Sequence, residues 1–271
     1  MKTLILMTAG VLVFAQAQKT FDTPQAAAQA LIDAAAANNL TELNAIFGMQ
    51  GKNILTSGDP ARDKAEREEF VSIAKTRNAI EPDSMDHKRV FLSIGKDDWP
   101  FPVPIVKKDG KWMFDSSMGM QSMRARRIGA NELDAIEICA GFVEAENAHA
   151  ERSAMHEYAA TLAALEPDVP KDFVAASGTA AKPYHGYFFS VLKSQGASSP
   201  GGRHDYMVKN PAAMSMMGGF ALVAWPAQYG VTGVHTFIVN HDGVVYEKDL
   251  GPHVGAPVTS YNPDPSWHTV N

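Results

Sequence analysis

An α+β fold in two domains is what this sequence predicts, and three features point to it. Apolar residues first recur at helical spacing and then alternate, and this order occurs twice along the chain; the alternating stretches are separated by Asp-Gly turn pairs; and the second round opens on an unusually long helical period. Helices segregated from antiparallel hairpins are the mark of an α+β architecture rather than of alternating βαβ units. The expected division is a leader over residues 1–17, a first domain over 18–125 and a second over 126–271.

The leader is read from Lys2, the apolar run Leu4 to Ala15, and the small residues of Ala15-Gln16-Ala17 at the positions a signal peptidase inspects. The run is about a dozen residues, short of the roughly 20 that cross a bilayer, so no stable membrane span is expected once it is removed. A short retained anchor is the rival reading. The sole cysteine, Cys139, lies far from the cleavage point and offers no lipid attachment. The expectation is a periplasmic or secreted bacterial protein.

In the first domain Thr23 and Pro24 start a helix that runs to about Ala37, because the hydroxyl accepts an orphan amide and proline at the first position lacks one. Asn38 and Asn39 break it, Thr41 is expected to cap a second helix carrying Leu43, Ile46 and Phe47, and Gly48 ends that helix. Residues 61–77 are helical again, with Phe70, Ile73 and Ala74 as the apolar stripe. Val90, Leu92 and Ile94 then alternate on one face of a strand. The prolines at 100, 102 and 104 lack amide protons on one side, which predicts an edge strand over 99–106. Lys108-Asp109-Gly110-Lys111 is a tight turn, and 112–115 return antiparallel.

In the second domain a linker is expected at 120–127 and a helix from Asn131, with a stripe at Leu133, Ile136, Ala140, Val143, Asn147, Ala150, Ala154, Tyr158, Leu162 and Leu165. Strands follow at 184–192, 204–208, 219–225, 234–240 and 244–247, with His241-Asp242-Gly243 as a hairpin turn.

Three resemblances accompany these elements. Helices followed by a curved antiparallel sheet that closes on Gly110-Lys111-Trp112-Met113-Phe114-Asp115 resemble the cone-shaped nuclear-transport-factor-two-like fold, which implies a pocket. The helix at Asn131-Glu132-Leu133 to Ala145-Glu146 and the hairpin from Phe220 to Tyr246 resemble type IV pilin and pseudopilin heads. A pilin begins with an apolar polymerising stem, whereas here a folded domain precedes the helix, so the resemblance implies a head and not a fibre. Ser57-Gly58-Asp59-Pro60, Asp97-Asp98-Trp99-Pro100-Phe101-Pro102, Arg127 to Leu133, Lys182-Pro183-Tyr184-His185-Gly186-Tyr187 and the run Gly218 to Gly251 are similar to the exported bacterial family DUF2950, which implies no particular activity.

A net charge of −6 with no dense Lys/Arg cluster gives no electrostatic reason to bind nucleic acid or anionic lipid. Arg124, Arg126 and Arg127 are expected on a solvated surface. One cysteine forms no internal disulfide, and Cys139 reads as a core residue. The nine histidines show no metal-ligand spacing, and His149 and His156 stand too far apart on one helix to share an ion. Neither a nucleophile elbow nor a phosphate loop is present, so no metal, no cofactor and no catalytic residue is assigned.

The candidate binding residues are Asp97, Asp98, Trp99, Tyr184, His185, Trp225 and Tyr229. The aspartates sit at a turn, where backbone reasons alone favour them; His185 has aromatic neighbours, and an imidazole can serve as acid or base near neutral pH, with a packed or capping histidine as the alternative; the tryptophans and Tyr229 offer aromatic surface, with core packing as the alternative. The leading expectation is a non-enzymatic envelope protein presenting a surface to another exported protein, with Trp225 and Tyr229 in an exposed apolar patch. A hydrolase or lyase using His185 with Asp97, Asp98, Asp205 or Asp249, and a small-ligand binder using the first domain's cone, stand beside it.

Overall fold

The computed structural model describes residues 17–56, 60–178, 180–210, 213–253 and 255–270; the expected leader, apart from Ala17, and most of the 57–60 motif lie outside the described residues. The fold is α+β, and the chain contacts cluster into two compact units, Met1–Met123 and Arg124–Asn271.

In the first unit, α1 (Pro24–Ala36) begins as expected: Thr23 Oγ1 accepts the Ala26 amide at 3.1 Å. Its apolar side, including Ala27, Ala28, Leu31 and Ile32, is buried. α2 (Leu40–Phe47) is capped by Asn39, whose Oδ1 accepts the Glu42 amide at 3.1 Å, and not by Thr41. Asn38, at φ 48°, turns the chain so early that Asn39 is already the last non-helical residue. Gly48 ends the helix at φ 67°. A 3-10 turn (Gly48–Gln50) and α3 (Gly51–Leu55) follow, too short to announce themselves by periodicity. α4 (Pro60–Thr76) buries Val71 and Ala74, while Ile73 remains 37% exposed, so its stripe is offset from the expected one.

The sheet comprises β1 (Asn78–Pro82), β2 (Arg89–Ile94), β3 (Trp99–Pro100), β4 (Ile105–Lys108) and β5 (Lys111–Phe114), all antiparallel, in the order β1-β2-β4-β5 with β3 also on β2. β1 was not foreseen, because Ala79 and Ile80 are its only apolar residues. Val90, Leu92 and Ile94 are buried as expected. The proline segment is not an edge strand: β4 lies between β2 and β5, and β3 pairs farther along β2, with Ser93 opposite Pro100 and Val90 opposite Ile105. Between them the chain leaves the ladder, since Pro102 and Pro104 have no proton to donate; the Phe101 amide to the Leu92 carbonyl, at 2.7 Å, is the bond that persists. Asp109 and Gly110, both at positive φ, form the tight turn of the β4–β5 hairpin.

α5 (Ser116–Arg152) is one helix of 37 residues. It starts where Asp115 Oδ1 accepts the Met118 amide, so the linker expected at 120–127 and the start expected at Asn131 are both corrected. Gly119 and Gly129 cost about 1 kcal/mol each against alanine, too little to break a helix that propagates on both sides. From Asn131 onward its buried residues are Ala135, Cys139, Phe142, Ala145, Glu146 and Ala150, whereas Leu133 is 69% exposed. The true stripe lies about one position away from the expected one, because small residues and a carboxyl, which hydropathy undervalues, face the core. The helix stops at Arg152; Tyr158 bridges to Met216, and Leu162–Leu165 form a 3-10 turn ahead of α6 (Lys171–Val174). Burial pushes the Cys139 thiol up to about 12, as fits a core residue.

The second unit's main sheet has the antiparallel order β14-β13-β12-β11-β6, from β6 (Tyr187–Leu192), β11 (Ala221–Pro226), β12 (His235–Asn240), β13 (Tyr246–Asp249) and β14 (His268–Thr269). Two small ribbons pair β7 (Ser194–Gln195) with β8 (His204–Asp205) and β9 (Met207–Lys209) with β10 (Met214–Met216). The strand expected at 204–208 is thus divided at Tyr206, whose amide donates instead to the Lys193 carbonyl. The core joins Phe142 of α5 with Phe189, Leu222, Val223, Phe237 and Val239 of the sheet.

Candidate functional site

A cavity of about 820 Å³ opens in the first unit. Leu31 and Ala35 of α1, Leu43 and Phe47 of α2, and Ile54 and Leu55 of α3 form one wall; Phe70 and Ile73 of α4 face Ile94, Trp99, Phe101 and Pro102 of the sheet. Gly95, at φ 76°, lets the end of β2 approach α4 closely: a Cβ there would lie 2.8 Å from Ile73 Cγ2. Phe101 packs at 5.3 Å on Phe70 and 6.4 Å on Phe47, so the segment released from the ladder is what lines the cavity.

Six charged side chains also line it: Asp63, Glu66, Glu69 and Asp97 against Arg67 and Lys96. Arg67 is committed, with Nε donating to Asn38 Oδ1 at 2.9 Å and Nη1 reaching the Leu55 carbonyl at 3.5 Å. Two of the sequence candidates, Asp97 and Trp99, belong to this cavity, and Trp99 is 47% exposed. Asp98 does not line it; it occupies the left-handed region at φ 50° and pairs with Arg77 at 3.1 Å.

In the second unit His185 and Gly186 occupy the centre of a tight turn at φ 47° and 78°, closed by reciprocal backbone bonds between Tyr184 and Tyr187. His185 Nδ1 lies 2.6 Å from Asp134 Oδ2, on α5, and its ring stands edge-on to Tyr184. None of the carboxylates nominated from the sequence is its partner: Asp249 accepts the Tyr229 hydroxyl at 3.0 Å, and Asp205 accepts the Met207 amide. A shallow pocket of about 440 Å³ beside the turn is lined by Asp172, Lys182, Tyr184 and His185. Trp225 is half-buried on Phe188, and Tyr229 is 37% exposed. His149 lies in α5, but His156 falls beyond its end, at φ 55°, so the two are not on one helix.

The family model described as "Protein of unknown function (DUF2950)" matches residues 18–168 and 161–270. The chain belongs to the DUF2950 family. No curated protein and no solved structure matches it.

In this DUF2950 member the long sequence motifs of the second unit meet at the His185 turn. Asn131 Nδ2 donates to the Thr232 carbonyl at 2.8 Å and packs where a Cβ on Gly186 would sit. Glu132 Oε1 accepts the amides of Val234 and His235 at 2.8 and 3.0 Å. The Tyr187 hydroxyl donates to the His235 carbonyl, and burial pushes its pKa upward. These motifs therefore build a clamp that holds the sheet end to α5. Glu132 and Asp134 are not among the sequence candidates because neither falls on the expected apolar stripe. Glu146, fully buried, was also missed; its place four residues past Phe142 on the buried stripe is the signal that could have found it.

Among the described residues no group of three or more His, Cys, Asp or Glu is placed to hold a metal, and no helix is long and apolar enough to cross a membrane.

Proposed function

We propose that this DUF2950 member binds a small, largely apolar molecule in the first unit. The cavity carries the reading: about 820 Å³ falls within the roughly 300–1,000 Å³ of ligand pockets, with aliphatic and aromatic walls beside a group of charged side chains. A close-packed domain holds few voids larger than a water molecule, so an opening of this size asks for an occupant. The expected likeness of this unit to the cone-shaped transport-factor-like fold supports the same reading, and export would place the binder in the envelope.

The other readings have less behind them. A docking patch would need Trp225 and Tyr229 exposed together, yet Trp225 is half-buried and the Tyr229 hydroxyl is engaged by Asp249. A hydrolase gains the His185–Asp134 pair, but that pair sits on the clamp and, among the described residues, no hydroxyl or thiol is bonded to the His185 ring.

The test is titration with the apolar dye N-phenylnaphthylamine, whose emission rises on leaving water. Saturable binding that Leu55→Trp and Ile73→Trp each block, in variants with unchanged circular dichroism, is expected. Dye binding that both fully folded variants retain would place the site elsewhere and overturn the proposal.

A further inference from the structure

The His185 turn of the second unit is a site of a different kind, independent of the cavity. We infer that it transfers protons: His185 Nε2 takes a proton from the carbon beside the carbonyl group of a small ketone, with Asp134 as the positioning residue. A carboxylate accepts hydrogen bonds and donates none, so the 2.6 Å contact of Asp134 Oδ2 with His185 Nδ1 puts the proton of the neutral ring on Nδ1 and leaves the lone pair on Nε2. Among the described residues nothing bonds Nε2. The ring lines the pocket of about 440 Å³ together with Lys182 and Asp172, neither of which is in an ion pair with a described residue. The α6 segment packs close to the turn, with Phe173 6.1 Å from the Tyr184 ring and the Lys182 amide donating to the Ala175 carbonyl at 2.9 Å. With Nδ1 turned to Asp134, Nε2 is the ring nitrogen available to a molecule in that pocket.

The clamp holds this pair in place without depending on it. Tyr184 and Tyr187 close the turn by backbone bonds of 2.9 and 3.0 Å, the Gly186 carbonyl accepts the Ala227 amide at 2.9 Å, and Asn131 packs against Gly186. The His185 and Asp134 side chains are 45% and 40% exposed, and an ion pair so open to water contributes little to stability. At φ 47° His185 also occupies the left-handed region, which glycine or asparagine enters at lower cost. Stability therefore gives no reason for a histidine here, whereas a base held in one orientation beside an open pocket is what proton abstraction requires. Since no described hydroxyl or thiol is bonded to the ring, the acid it acts on is the bound molecule itself. In that step the C–H bond breaks, its proton goes to Nε2, and the electron pair moves onto the carbonyl oxygen as an enolate; return of the proton from Nε2 to carbon restores the neutral ring. Lys182 places a positive charge on the wall of the same pocket, the sign that an enolate oxygen needs.

The experiment follows hydrogen–deuterium exchange at carbon by proton NMR, with the whole protein in deuterium oxide and dihydroxyacetone or pyruvate as the probe. Saturable exchange of at least one probe above the buffer rate is expected. His185→Asn, which suits the left-handed turn, should lower it by about a hundredfold, and Asp134→Asn should lower kcat by about tenfold with KM held within about twofold. Both variants should keep the circular dichroism of the parent. No exchange above buffer with either probe, or exchange that survives His185→Asn, overturns the inference; loss with His185→Asn but an unchanged kcat with Asp134→Asn removes Asp134 from its role. The ¹⁵N spectrum of the unaltered protein gives a check that needs no variant: the neutral His185 ring is expected to carry its proton on Nδ1, and a proton found on Nε2 instead overturns the assignment of the base.

Discussion

Glu146 gives the most demanding test of the second unit. Its side chain is fully buried on α5; Oε2 accepts the Ala159 amide at 2.8 Å, and Oε1 has no partner among the described residues. Burial pushes its pKa from the ordinary 4.5 up to about 8, opposed by the Ala159 bond. The folded state therefore holds a proton that the unfolded chain releases above about 4.5. The group's full contribution is present below that pH and is lost as pH rises through about 8, because ionising a buried carboxyl costs solvation that unfolding restores. At about 1.4 kcal/mol per pH unit across that window, the loss amounts to about 5 kcal/mol, a large share of a typical domain's stability. Glu146→Gln abolishes the titration while its amide oxygen still accepts the Ala159 amide. Urea unfolding from pH 5 to 9 is expected to give nearly equal stabilities at pH 5 and a variant more stable by several kcal/mol at pH 9. Parallel pH profiles for the two proteins would refute the reasoning.

Two substitutions test the packing. A Cβ at Gly233 would lie 2.1 Å from the Tyr187 hydroxyl, so Gly233→Ala should cost about 1–3 kcal/mol in urea unfolding, whereas Gly129→Ala, with nothing within 4 Å, should be neutral or stabilising; equal effects would mean that the Tyr187 clamp yields freely. Asn39→Ala removes the cap of α2 and should cost about 1 kcal/mol, while Thr41→Ala should cost only a few tenths; the reverse order in thermal melts would restore Thr41 as the cap.

Elements with a strong local signal were legible in the sequence. Thr23-Pro24 starts α1, Asp109-Gly110 turns the β4–β5 hairpin, and Val90, Leu92 and Ile94 face the core, because each is set by residues a few positions apart. What failed needed knowledge of what packs where. Asn131 looks like a helix start, but its amide is used across 101 residues, on Thr232. Leu133 scores as core by hydropathy, yet the core takes Ala135, Cys139 and Glu146. His185 is a candidate in the sequence but its partner Asp134 is not, since a helix-period reading puts Asp134 on the solvent side of a stripe that the structure displaces. The candidate site shows the same division: Asp97 and Trp99 line the cavity, and Asp98 between them turns away to Arg77.

The misread proline segment also accounts for why a cavity exists at all. An uninterrupted strand over residues 99–106 would carry alternate side chains into the core and continue the ladder on β2, and the space facing α4 would fill as a sheet face normally does. With Pro102 and Pro104 unable to donate, the ladder stops at Trp99–Pro100 and resumes at Ile105. The intervening residues diverge: Val103 turns fully inward, so close to α5 that only a glycine fits at position 119, where a Cβ would meet Val103 Cγ2 at 2.6 Å. Phe101 and Pro102 meanwhile stay on the side of α4 and become wall. Gly95 lets the neighbouring strand end approach Ile73, which keeps α4 near the gap and leaves the cavity between them open. The prolines and the two glycines thus do together what no single apolar residue does: they hold an unfilled space open by backbone geometry, so that its emptiness does not depend on the sizes of the side chains around it.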